Sequence, residues 1–188
     1  MDALCCTDRE LLVRLIGEQK VKELYEGSLA AVFKRAYDGE KSGERLVIAH
    51  ELVRRWLAEG LKRGSVLSSP QQVSEYLRVH FAGKERECFV VLFLDSQHRL
   101  IAAEELACGT IDGAAVYPRE VVKAALRHNA AALIYGHNHP SGIAEPSAAD
   151  RALTERLRQA LAVVDIRSLD HVVVGSSSVV SFAERGWM

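Results

Sequence analysis

The chain has 188 residues, 48% hydrophobic and 26% charged, with 24 basic against 25 acidic side chains and a net charge of −1. That composition fits a folded globular protein and excludes a disordered or fibrous one, while the even charge lacks the basic excess of a strong nucleic-acid binder. No apolar run approaches the ~20 residues that span a bilayer, and residues 1–10 lack the basic and apolar stretches of an export signal, so a cytoplasmic protein with no membrane partner is expected.

Residues 8–63 read as all-helical. Leu11, Leu12, Leu15 and Ile16 form one apolar stripe at helical spacing. Ala49, Leu52, Val53, Trp56, Leu57 and Leu61 form a stronger one, which places Trp56 in a core. The polar, glycine-containing residues 38–43 separate them as a loop. Lys62, Arg63 and Gly64 end the second helix, as basic residues followed by glycine do. Residues 65–70 read as a linker, with Ser69 capping a short helix from Pro70 to about Arg78.

From residue 86 the pattern changes. Residues 88–94 are short, apolar and rich in β-formers, a buried strand. A turn at 95–98 leads to a second strand over 100–110. Pro118 opens a helix carrying Val121, Val122, Ala125 and Leu126, and residues 131–136 form another buried strand. A second amphipathic helix starts at Ser147 and presents Leu153, Leu157, Leu161 and Val164. Residues 171–175 and 178–182 close the domain as two strands. Intermixed strands and helices predict an α/β layered domain over 69–188, preceded by a helical region over 1–68. The four cysteines, Cys5, Cys6, Cys88 and Cys108, form no C-x-x-C pair and are expected to be reduced.

The chemistry-bearing stretch is His137-Asn138-His139-Pro140, followed by Ser147 and Asp150. Residues i and i+2 of an extended strand point to the same side, so both imidazoles can aim at one point. Asp150, in the first turn of the helix that starts at Ser147, reaches back as a third ligand, where the positive helix end favours a carboxylate. Two neutral imidazoles and a carboxylate suit zinc and leave a fourth position for water, although cobalt or manganese would accept the same set. Ser147 and Asp150 also have the spacing of a capping box. His50, His80, His98 and His128 lie in helical or turn contexts and read as surface or satisfied residues; His171, at a strand start, reads as a structural hydrogen-bonder.

His137-x-His139-Pro140-x₆-Ser147-x₂-Asp150 resembles the JAMM signature of the JAB/MPN metalloprotease superfamily. Gly109-Thr110-Ile111, Tyr117-Pro118-Arg119-Glu120, Asp170-His171 and Ser181-Phe182-Ala183-Glu184 resemble its RadC-like branch. The resemblance covers about 69–188. It implies the MPN fold (JAB, cytidine-deaminase-like), a mixed sheet flanked by helices, with Zn²⁺ held by His137, His139 and Asp150. The implied reaction is hydrolysis of a peptide or isopeptide bond in a protein or peptide substrate. The resemblance also implies a glutamate that takes the water's proton and delivers it to the leaving amine. Glu87 matches best, with Glu85, Glu104 and Glu105 as alternatives. Ser147 would stabilise the oxyanion. RadC-like proteins resemble helix-hairpin-helix DNA binders at the N-terminus. Here residues 38–45 lack a hydrophobic residue between close glycines and carry Glu40 and Glu44, so this region is at most a degenerate version. The RadC-like branch was named for DNA repair, so the resemblance also implies an alternative: a DNA-repair-associated accessory protein whose metal domain serves binding or scaffolding, with DNA only weakly supported as a partner. A metal-dependent nuclease is a third reading, disfavoured by a one-metal His₂Asp set.

Overall fold

The structure, a computed structural model, describes residues 5–66, 70–109 and 116–188. The expected cap Ser69 and the motif residues Thr110 and Ile111 lie outside the described residues. The chain divides into two compact units, Met1–Trp56 and Leu57–Met188. No described helix is long and apolar enough to cross a membrane.

The first unit is helical: α1 (Asp8–Ile16), α2 (Glu18–Leu24), α3 (Leu29–Tyr37), a 3₁₀ turn (Lys41–Gly43) and the start of α4 (Glu44–Arg63). Thr7 and Glu10 form a capping box that starts α1, satisfying amide groups that have no partner inside the helix. Leu12, Ile16, Val21, Leu24, Val32, Ala36 and Leu46 make the core. Trp56 is not part of a core, contrary to expectation: it is 70% exposed, with Leu52 and Val53 also on the surface. Helix α4 buries Leu46 and Leu61 instead. Helical spacing defines a stripe, but when a helix carries apolar residues on more than one side it does not say which side is covered.

The second unit is a mixed α/β layer structure. It contains α5 (Pro70–Phe81), β1 (Cys88–Leu94), β2 (Leu100–Cys108), α6 (Pro118–Arg127), β3 (Ala132–Asn138), α7 (Ala148–Ala162), β4 (Arg167–Val174) and β5 (Val179–Ser181). The five strands run in the order β2-β1-β3-β4-β5, with β3 and β4 parallel and the other pairs antiparallel. One sheet face, with Cys88, Val90, Leu92 and Ile134, packs against Val73, Tyr76 and Leu77 of α5. The other, with Phe89, Val91, Phe93 and Tyr135, packs against Val121 and Ala125 of α6 and Leu157 and Leu161 of α7. Strands covered on both faces read as near-continuous apolar runs, and β1 and β3 are buried along their whole length, β3 ending in the buried polar residues His137 and Asn138.

Cys88 and Cys108 stand directly opposite each other on β1 and β2 and are disulfide-bonded, with Cα atoms 4.1 Å apart. This corrects the expectation that both are reduced. Their juxtaposition follows from the hairpin register, which the spacing of the cysteines in the chain does not contain.

Two loops position the site. The turn after β3 is tied to the end of β4 by His139 N–H to Val174 O (2.9 Å) and by Ser176 N–H to Gly142 O (2.9 Å). A Cβ on Gly175 would lie 2.4 Å from Gly142 O and 2.8 Å from Ala144 N, so only glycine allows the two backbones this approach. Gly175→Ala is expected to destabilise the unit by ~1–3 kcal/mol through overpacking. Gly60→Ala, inside α4 with nothing nearer than 3.8 Å to the new methyl, is expected to stabilise by up to ~1 kcal/mol. Equilibrium denaturation of the two variants checks both signs.

Candidate metal centre

Side-chain alternation along β3 sends Tyr135 and His137 to the α7 face. Phe89, paired with His137 across β1 and β3, stacks against its ring at 6.5 Å. His139 follows on the same side just past the strand end. Ser147 caps α7, accepting from Asp150 N–H at 3.1 Å, while Asp150 Oδ2 accepts from Ser147 N–H (2.7 Å) and Oγ–H (2.6 Å). The capping box is therefore formed, and it orients the carboxylate. His137 Nε2 lies 2.9 Å from His139 Nε2 and 3.5 Å from Asp150 Oδ1, and His139 Nε2 lies 3.6 Å from Asp150 Oδ2. The structure thus brings all three expected ligands together, with Oδ1 nearer His137.

The hydrogen bonds behind the rings define what the front nitrogens can do. Thr154 Oγ1 donates its one proton to Asp150 O (2.7 Å), so it can only accept from His171 Nδ1–H (2.6 Å). His171 is then left with a lone pair on Nε2, which accepts from His137 Nδ1–H (2.8 Å). His139 Nδ1–H donates to Ile143 O (2.8 Å). A neutral imidazole donates from one nitrogen and accepts at the other. Both Nε2 atoms therefore present lone pairs toward each other and toward a carboxylate. Three acceptors converging without a donor need a cation between them. Tetrahedral ligands ~2.0–2.1 Å from zinc stand ~3.3 Å apart, close to the separations seen. The residues present fit a divalent metal ion.

Electrostatics agree. Burial lowers the His137 value to about 4 and that of His171 well below its ordinary value, so both are held neutral. His139 is raised, chiefly by Asp150 beside it. Burial works against the charge of Asp150, yet the neighbouring His139 and the hydrogen bonds from Ser147 outweigh it and hold the carboxyl well below the usual range. A proton on His139 thus stands where a metal ion would.

His171 makes structural hydrogen bonds, as expected, and they place its ring directly behind the candidate ligand His137. Completely buried on β4, it also packs against Phe182 (4.7 Å). Asp170 anchors this edge, accepting from Ser181 Oγ–H, Ala183 N–H and His171 N–H. Among the four glutamates considered, Glu104 pairs with Arg127 and His128, and Glu105 with Lys84, while Glu85 is exposed. Glu87 is half-buried, and its carboxyl is raised by burial, with His139 lowering it and Asp150 raising it further. Asn138, between the two histidines, points to the other face. Its Oδ1 accepts from Cys88 N–H (2.8 Å) and its Nδ2 donates to Arg86 O (2.9 Å), gripping both neighbours of Glu87.

A family model described as a RadC-like JAB domain matches residues 67–187. The chain belongs to the RadC-like JAB family. It is 56% identical to a UPF0758 protein of Vibrio cholerae serotype O1 (strain M66-2), over 86% of this chain and 76% of that one. To UPF0758 proteins of Cellvibrio japonicus (strain Ueda107) and Vibrio atlanticus (strain LGP32) it is 62% and 57% identical, over 96% and 95% of this chain and 79% and 80% of theirs. The RadC-like match takes in every ligand candidate and the Asp170–His171 pair behind them.

Thr154→Val removes the acceptor that orients His171. It is expected to weaken metal binding ~10–100-fold, with Thr154→Ser retaining affinity, as read by chelator competition. The raised His139 group stabilises the metal-free chain fully below about pH 6.5, and that contribution is lost as pH rises through the folded value. Metal must displace this proton. Affinity should therefore climb with pH through the same window and level off above it, with proton release seen by calorimetry in buffers of different ionisation enthalpy.

Proposed function

We propose that this RadC-like JAB protein is a JAMM-type hydrolase that uses Zn²⁺ held by His137, His139 and Asp150 to cleave a peptide or isopeptide bond in a protein or peptide substrate. The observation that carries this reading is the convergence of two imidazole lone pairs and one carboxylate, each oriented from behind. A divalent ion bound there would acidify a water molecule and polarise a carbonyl.

The chain's own residues supply the rest. Glu87 is the proton carrier: it accepts a proton during attack and returns it to the leaving amine. Burial raises its carboxyl, which brings it nearer the working pH and makes it a better base. Asn138 fixes the backbone on either side of Glu87 relative to the histidines. Ser147 can turn its hydroxyl toward a developing oxyanion and still accept from Asp150 N–H. Asp150 Oδ2 then keeps the Ser147 N–H bond, so the cap survives the turn.

The test uses the full chain loaded with Zn²⁺, elemental analysis, and fluorogenic libraries of α-linked and lysine-ε-linked peptides. Wild type should hold one ion in this centre and cleave a member of one library. His139→Ala should lose that ion. Glu87→Gln should keep it while hydrolysis falls ~10²–10⁴-fold. A wild-type centre that takes up no ion, or turnover indifferent to Glu87→Gln, overturns the reading.

A further inference from the structure

A second cluster of metal-ligating side chains lies on the opposite sheet face, beside α5. Cys88 belongs to the core on that face, whereas His137 shares the other with Phe89. The β1–β2 register shifts between Phe89, paired with Ala107, and Val90, paired with Glu105, which leaves Leu106 as an extra residue. A bulge of this kind re-aims the side chains beyond it. Here it puts Glu105, and not Leu106, on the face that carries Cys108. Ligand atoms of Cys88, Cys108 and Glu105 all lie within 4.8 Å of one another. His80 Nε2 (3.5 Å) and Lys84 Nζ (2.5 Å) both contact Glu105 Oε2, and the carboxylate carries a second oxygen, Oε1. Cys88 is buried and Cys108 exposed, so the cluster opens to solvent on one side.

We propose that this cluster is a redox-gated site for one thiophilic divalent cation of the Zn²⁺ class, separate from the His₂Asp centre and independent of the reaction proposed there. With the disulfide closed, the sulfurs are tied to each other and the site is shut. Two equivalents of a small thiol open it: two electrons pass to the Cys88–Cys108 bond, the small thiols leave as their own disulfide, and both protein sulfurs become thiols. The cation then displaces the two thiol protons and binds both thiolates and Glu105 Oε1, with water as fourth ligand. Its oxidation state does not change. Two thiolates ~2.3 Å from zinc stand ~3.8 Å apart, so the sulfurs must swing apart once their bond is broken, with Glu105 already within 4.8 Å of both. The charges balance as well: two thiolates and Glu105 total −3, the cation +2, and the Lys84 ammonium beside Glu105 makes up the remainder. His80 and Lys84 hold the carboxylate as outer partners of ligating groups do.

Co²⁺ titration of the full chain tests this, with Cys5→Ser and Cys6→Ser so that they contribute no thiolate. Cobalt bound to sulfur gives an intense near-ultraviolet charge-transfer band, which a His₂Asp site cannot give. The phosphine-reduced chain should develop that band with one equivalent of Co²⁺ bound beyond what the oxidised chain takes up, and should lose it to Zn²⁺. The oxidised chain should lack it until reductant is added. Cys108→Ser, at an exposed position, should abolish it, Glu105→Gln should weaken cobalt binding roughly tenfold or more, and His139→Ala should leave it intact. Absence of the band in the reduced chain, its persistence in Cys108→Ser, or its loss in His139→Ala overturns the proposal. None of these results bears on whether the His₂Asp centre hydrolyses peptides.

Discussion

His137 can offer a lone pair at the front of its ring only because its rear nitrogen is committed to His171, and His171 is committed in turn to Thr154. The chain of bonds ends on a carbonyl oxygen, Asp150 O, which can only accept. That terminus gives every proton in the series its direction. Since Asp150 also brings its carboxylate to the front, one residue terminates the chain behind the centre and closes the centre itself. Such a loop of dependence makes the site a property of three elements, β3, β4 and α7, and not of a local motif.

Burial makes the arrangement hold. His171 is completely enclosed, and His137 nearly so, among Phe89, Tyr135 and Phe182. In a low-dielectric setting an extra proton on either ring is costly and a missing hydrogen bond is costly too. Both penalties favour the same neutral tautomers. His139, nearer the surface, carries the adjustable charge. The division of labour between a locked inner ring and an adjustable outer one follows from their depth in the sheet.

Much of the fold was legible in the residues. The runs that became β1 and β3 stood out because strands covered on both faces are largely apolar along their length, and α7 announced itself through the Ser147–Asp150 cap. The i, i+2 histidines and the following carboxylate were readable as a convergent set because strand and helix geometry fix where they aim. What stayed hidden depended on register. His171 lies opposite Tyr135 on β4, past a shift between Leu133 and Ile134, and nothing local in the sequence records that alignment. The Cys88–Cys108 pair and the bulge at Leu106 are likewise consequences of how two strands slide together. Trp56 failed differently: apolar spacing along α4 was real, but which side of a helix meets a core is decided by the rest of the fold.

Asn138 gives the two strands a common ruler. Its flanking histidines face one way while its own amide clasps the peptide groups at 86 and 88 on the other. The spacing from Glu87 to the imidazoles is therefore gauged by a single side chain across adjacent strands, and it is set when those strands zip together, before any ion or substrate arrives.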